Sequence, residues 1–278
     1  MPTTQETTSF QNLEIIQYQL HSDYLEREVV LDIYTPKEIN LALHYSLLLV
    51  NDGQDLLSMP FDNLLNKLWE HAEIEPLICV GIHGGPNRKM EYGTAYSPDF
   101  DGRGAKAGLY AKFIFDELIP FLRRELKMPS FKDKSFAGFS LGALSALDIV
   151  WNHPNQFNRV AVFSGSLWWR KKAYDDGYDN EKHRLMHLQI RKADFYPWLR
   201  FYLQCGSLDE TADRNKNGII DSIDDTLDLI VELKAKGYTD AHIHYQLIEG
   251  GKHDVPTWGQ AFPSFLRWGW GVKVKSEE

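Results

Sequence analysis

Residues 135–146 read SFAGFSLGALSA, and the order of residue types along them decides the architecture. Ser135–Phe139 is a short run of apolar and small residues, as a strand covered on both faces requires. GALSALDIV follows immediately with the small-residue pattern of a helix start. Between the two, Gly138-Phe139-Ser140-Leu141-Gly142 leaves no residue for a loop, so the strand must turn sharply into the helix with Ser140 at the vertex. Glycine at both flanks lets neighbouring backbones approach, and a strained serine backbone projects its Oγ clear of them.

The same strand-then-helix rhythm extends outward. Continuous apolar runs stand at Ser46–Val50, Leu77–Ile82, Arg159–Ser164, Leu199–Cys205 and His242–Ile248. Helical patterns lie between them at Phe61–Ala72, Ala105–Leu126, Gly142–Asn152 and Ile223–Lys236, and a last helix is expected around Trp258–Trp268. This alternation predicts an α/β fold with a mostly parallel, doubly wound sheet and helices on both faces. Two partly alternating runs, LEIIQYQL from Leu13 and REVVLDIY from Arg27, predict an antiparallel N-terminal start. Without a Pro/Gly/Ser-rich linker or an internal repeat, residues 1–278 are expected to form a single domain. Two long connections, His83–Lys106 and Leu167–Trp198, are the expected walls of a ligand site, the second (about 167–198) being a charged insertion that could act as a lid.

Composition narrows the function. The 278 residues carry 30 Lys and Arg against 39 Asp and Glu, a net charge of −9 with no basic block, which argues against nucleic acid or an anionic membrane as partner. No apolar stretch is long enough to span a bilayer. The opening MPTTQETTSF lacks a basic segment followed by an apolar core, and the two cysteines, Cys79 and Cys205, sit in or at the end of apolar runs. A cytoplasmic protein with buried free thiols is the expectation.

Serine at its ordinary pKa is a poor nucleophile and needs a base. In sheets with such a serine turn the chain order is serine, acid, histidine. His253, in EGGKHDVPTW, lies in a Gly-rich loop after the last strand and before the last helix, where it can swing back over the strand ends. Asp209 follows the preceding strand in FYLQCGSLDE, placed to fix the histidine tautomer, with Glu210 one residue away as the alternative acid. Oxyanion donors are backbone amides. One is expected at Leu141, after the nucleophile, and the other in VNDGQDLL, at Gln54.

With these residues placed, the chain resembles the "Putative esterase" family of α/β-hydrolases, which includes esterase D, feruloyl esterases, enterochelin esterases and mycolyl transferases. The resemblance runs from about Leu13 to Gly271. It includes LLLVNDGQ, NRKMEYGT, FIFDELIPFLRREL, NHPNQFNRVAVFSGSLWW, CGSLD and GGKHD. DGQ and the spacing of Arg88, Glu91 and Tyr92 are similar to the enterochelin-esterase-like branch. The resemblance implies an α/β-hydrolase fold and a serine carboxylesterase acting on small-molecule esters with no organic cofactor. It leaves open whether these are aryl, acetyl, thio- or lactone esters. Full-length enterochelin esterases carry a preceding substrate-binding domain that this sequence does not show, so siderophore hydrolysis is not the expected specific task. The lack of a carbohydrate-binding module likewise speaks against direct attack on plant cell wall.

Arg88 could bind a substrate carboxylate or phenolate, or pair with Glu91 as a structural ion pair, the reading favoured here. Tyr92, in the first insertion, is a further substrate-contacting candidate, and so are Trp168 and Trp169, which with Trp258 after His253 would form an aromatic rim. The run DETADRNKNGIIDSIDD at 209–225 also fits most of a calcium-loop template. Asp213, Asn215, Asn217, the Ile219 carbonyl, Asp221 and Asp224 would be the ligands of a structural calcium that orders the loop carrying Asp209. The competing reading makes Asp221 the N-cap of the following helix. Two alternatives to ester hydrolysis stand: acyl transfer through the same Ser140, Asp209 and His253, and a non-catalytic binding module built on the calcium loop and aromatic rim.

Overall fold

The computed structural model describes residues 3–40 and 42–272. Its centre is a nine-stranded mixed sheet in the order β1-β2-β3-β5-β4-β6-β7-β8-β9. β1 (Thr3–Ser9), β2 (Leu13–Ser22) and β3 (Arg27–Pro36) form an antiparallel meander whose last strand also runs antiparallel to β5 (Leu77–Ile82). From β5 onward the sheet is parallel, through β4 (Ser46–Asn51), β6 (Lys134–Phe139), β7 (Arg159–Phe163), β8 (Arg200–Leu208) and β9 (Ile243–Lys252). The apolar runs at 46–50, 77–82, 135–139, 159–164, 199–205 and 242–248 thus form β4 to β9. β1 was not expected: TTQETTS offers no apolar face and is defined by its ladder to β2.

Every residue of β4 and β5 is buried, because helices cover both faces. Side chains alternate between the two cores: Leu47 and Leu49 pack on one side, Leu48 and Val50 on the other. The second side is covered by the short α1 (Gln54–Ser58), by α2 (Phe61–Glu70) and by α10 (Val255–Trp270), through Leu56, Leu65, Phe262 and Phe265. After a short turn, α3 (Arg88–Glu91), the first side is covered by a long helix in three parts: α4 (Ala107–Lys112), a π-helical turn at Phe113–Leu118, and α5 (Ile119–Glu125). Pro120, which has no N–H to donate, stands just beyond the wider turn. α6 (Leu141–Asn152), almost wholly buried, packs beside it.

The charged 167–198 insertion contributes α7 (Asn180–His183), which packs on α8 (Leu185–Lys192), and α8 packs in turn on α9 (Asp221–Lys236). Arg184 and Asp225, both almost fully buried, join them at 2.7 Å. In the sheet, β5 and β6 lie on opposite sides of β4, so the winding reverses there and opens a crevice at the carboxyl ends of β4 and β6. Both cysteines are free and buried, with burial pushing each thiol pKa up. Among the described residues no helix is long and apolar enough to cross a membrane.

Candidate active site

Ser140 sits between β6 and α6 with φ 54° and ψ −120°, a conformation rare outside glycine. Such strain costs about 1–3 kcal/mol and persists only where surroundings enforce it. Here they do: the Ser140 amide donates to the Phe163 carbonyl at 2.9 Å and the Ser140 carbonyl accepts from the Ser166 amide at 3.1 Å. A Cβ at Gly138 would lie 2.4 Å from the Gly142 carbonyl oxygen, and one at Gly142 would lie 2.6 Å from an Asp52 oxygen. Both flanking glycines are therefore demanded by contact.

The next two strand ends meet in the same way. A Cβ at Gly206 would stand 2.4 Å from the Gly251 carbonyl oxygen, so β8 and β9 close together just before they release Asp209 and His253. A cleft of about 290 Å³ is lined by Ser140, Ser164, Gly165, Ser166, Trp168, Asp209, Glu210, Ser222 and His253. A larger groove, about 610 Å³, runs beside α4 and α5 past Tyr96, Lys112 and His153 and contains none of these groups.

Asp209 is only 9% exposed, and neither carboxylate oxygen has a well-aligned hydrogen-bond partner. Burial raises its pKa, although the Gly206 backbone and Ser164 lie close enough to favour its charged form. His253 keeps an exposed edge with its ring 5.4 Å from Trp258, but the atoms crowded around it matter more than that edge. They hold its pKa below the ordinary value; the Asp209 charge opposes this and the Arg88 charge adds to it. His253 and Asp209 thus lie in one cleft, with burial opposing charge on each. Glu210 lines the cleft as well, and burial raises its pKa too. Among the described residues the amides of Leu141 and Gln54 donate to no other protein group. The Gln54 side chain is engaged, accepting from the Gly84 amide at 3.0 Å.

Several expected substrate contacts are placed otherwise. Arg88 is held in an ion pair, but with Asp52 rather than Glu91: Nε to Oδ1 and Nη2 to Oδ2 are both 2.6 Å. Glu91 instead accepts from Arg27, at 2.9 and 2.6 Å. Tyr92 is 1% exposed and takes no part in a rim; its ring lies 5.1 Å from the Arg88 guanidinium. Trp169 is fully buried, donating through Nε1 to Thr94 Oγ1 at 3.1 Å, and of the tryptophan pair only Trp168 reaches the cleft. Three serines that sequence reasoning missed, Ser164, Ser166 and Ser222, line it as well. Ser166 Oγ stands 3.5 Å from Ser140 Oγ. The small-residue run FSGS after β7 is the signal that could have found the first two.

In the acidic loop, Asp213 accepts from the Asn217 and Gly218 amides at 3.2 and 2.9 Å. Asn215 and Asn217 both donate to one oxygen of Asp224, at 2.6 and 2.9 Å. Asp221 is not the N-cap, a position held by Ile220, but the first residue of α9, and it accepts from the Arg214 amide and guanidinium. Among the described residues no three His, Cys, Asp or Glu side chains converge as a metal-binding group. The calcium template therefore rests on two carboxylates without an arginine partner, Asp213 and Asp224, two side-chain amides and the Ile219 carbonyl.

Residues 22–268 match the "Putative esterase" family, and the chain belongs to it. It is 24% identical to the protein YjcH of Bacillus subtilis (strain 168) over 234 residues, 82% of this chain and 88% of YjcH. Among solved structures it is similar to the enterobactin esterase FES of Shigella flexneri, with TM-score 0.68 and 19% identity over 91% of this chain. The chain spans 58% of the length of that protein. A ferulic acid esterase is equally similar in fold, with TM-score 0.68 and 16% identity over 92% of this chain and 97% of that one. These likenesses show the α/β-hydrolase-like esterase fold.

Proposed function

We propose that this protein is a serine carboxylesterase working through an acyl-enzyme. The observation that carries the reading is Ser140, strained at the end of β6, facing a cleft that also holds His253 and a buried carboxylate with no well-aligned partner, Asp209. His253 takes the hydroxyl proton as Ser140 Oγ bonds to the ester carbonyl carbon. The free amides of Leu141 and Gln54 stabilise the oxyanion, each such donor being worth about 3–4 kcal/mol. When the carbon–oxygen bond breaks, His253 returns the proton to the leaving alcohol, then draws one from water for deacylation. Asp209 orients the imidazole and stabilises its cation, an interaction that also satisfies its own oxygens.

A fluorophosphonate probe followed by peptide mass spectrometry tests this. Stoichiometric labelling at Ser140, with loss of ester hydrolysis, is expected; an unlabelled protein or a label elsewhere contradicts it. Product analysis with competing alcohols separates hydrolysis from acyl transfer. We further propose that the loop from Asp213 to Asp224 takes calcium as a structural ion outside the chemistry, supported by the amides of Asn215 and Asn217 gathered on Asp224.

A further inference from the structure

Beside the cleft stands a cation that none of this chemistry uses. Arg170, at the start of the long insertion, is 8% exposed, and its Nε is buried with no hydrogen-bond partner. Rings surround its guanidinium carbon: Tyr174 at 3.7 Å, Phe100 at 4.5 Å, Trp168 at 5.7 Å and Tyr178 at 5.8 Å. Among the described residues it forms no ion pair. Its neighbour Arg103 differs: it shares Phe100 and Trp168 but is paired with Asp99, its Nε donating at 2.7 Å, and lies 4.0 Å from Asp101. Arg103 is therefore neutralised and Arg170 is not. Ring faces return only part of the hydration a buried guanidinium loses, and its Nε–H is an unfilled donor. An uncompensated buried cation in a chain of net charge −9 calls for an anion from outside.

Trp168 links this cation to the reacting centre. It lines the cleft with Ser140, Ser166, Asp209 and His253, and its ring is also one of the four around Arg170. A substrate held at Ser140 and packed on Trp168 therefore has this guanidinium within 5.7 Å of the ring it packs on.

We propose that the cleft is selective for esters bearing an anionic oxygen group, which pairs with Arg170 while the body of the substrate packs on Trp168. The inference rests on the esterase reading but assigns something further, the charge of the substrate. Carboxylate, phenolate and phosphate share the chemistry a guanidinium recognises.

The test compares mono-(4-nitrophenyl) glutarate with its methyl ester, alike in length and reacting bond and differing in charge. Wild-type kcat/KM should favour the anionic ester by about tenfold or more, as one charge-assisted hydrogen bond implies. Arg170→Gln should bring the ratio close to one, and Arg170→Lys should keep part of it. Because both esters are read on the same preparation, loss of folded protein cancels. A wild-type ratio near one, or a ratio that survives Arg170→Gln, overturns the proposal while leaving the esterase reading intact. Should the variants not fold, or the protein hydrolyse neither ester, benzoate and benzamide are titrated against wild-type tryptophan fluorescence. Tighter, salt-weakened binding of benzoate supports the anion site, and benzoate binding no better than benzamide overturns it.

Discussion

Two buried or half-buried arginines, each against an aromatic ring, face opposite fates. Arg88 is held by both oxygens of Asp52, and Tyr92 beside it is buried with its hydroxyl accepting from the Asp52 amide. Arg170 has only ring faces, and in the cleft that shares Trp168 with it, Asp209 and Ser222 also hold buried oxygens without partners. The pairing of Arg88 is complete within the folded chain, and that of Arg170 is not. Buried polar groups are normally satisfied, so unsatisfied ones clustered at a cleft mark where ligand and catalysis belong. Nearness to a motif in the sequence does not make that distinction; partner accounting does.

The comparison can be broken most forcefully in the cleft. Ser140→Ala or His253→Ala should lower kcat by about 10⁴–10⁶-fold while thermal unfolding stays cooperative and Tm shifts little. Asp209→Asn should cost about 10⁴-fold in kcat, yet raise stability in urea by about 1 kcal/mol, because a buried charge without a well-aligned partner is removed. Glu210→Gln, in parallel, should cost far less activity, which separates the two candidate acids. The completed Arg88 pair should behave oppositely. Asp52→Ala strands Arg88 and should destabilise by about 2–3 kcal/mol in urea unfolding, below the figure for a fully buried pair because the Arg88 side chain is 30% exposed.

A smaller effect is read in pH. Burial pushes His187 down to about 3 while Asp148, buried on α6, is pushed up to about 6. Below the ordinary histidine pKa the unfolded chain binds a proton at His187 that the folded chain refuses, so stability falls with pH between about 6.5 and 3. Asp148 acts with the opposite sign between about 6 and 4, since there the folded chain binds the extra proton. His187→Gln should therefore tilt the urea-stability profile by about 1.4 kcal/mol per pH unit toward greater relative stability at pH 5 than at pH 7. Calcium should be smallest of all. Saturating the proposed loop should raise Tm by a few degrees, roughly the 1.4 kcal/mol expected at ten times Kd, and Asp213→Ala should abolish the shift with ester turnover changed less than about twofold.

The fold was largely legible because a parallel sheet covered on both faces forces unbroken apolar runs, and β4 to β9 are those runs. The turn at Ser140 was legible because its geometry permits few residue types at 138 and 142. β1 was not, since a polar edge strand is specified by its neighbour, and the π-helical turn inside 105–126 leaves no mark in hydrophobic spacing. The partners of Arg88 and Glu91 could not be read either. Asp52 and Arg27 reach them from other strands, and local spacing favours the nearer pair that does not form. Likewise Trp168 and Trp169 are adjacent in sequence, and only the packing of Gly93 and Gly104 against Trp169 decides which enters the core.

The most direct measurement is the pre-steady-state release of 4-nitrophenol from 4-nitrophenyl acetate by wild-type protein and by Ser140→Ala. A burst of one equivalent per chain, absent in the variant, is the result predicted for an acyl-enzyme on Ser140. Turnover that persists at the wild-type rate in folded Ser140→Ala would contradict the account.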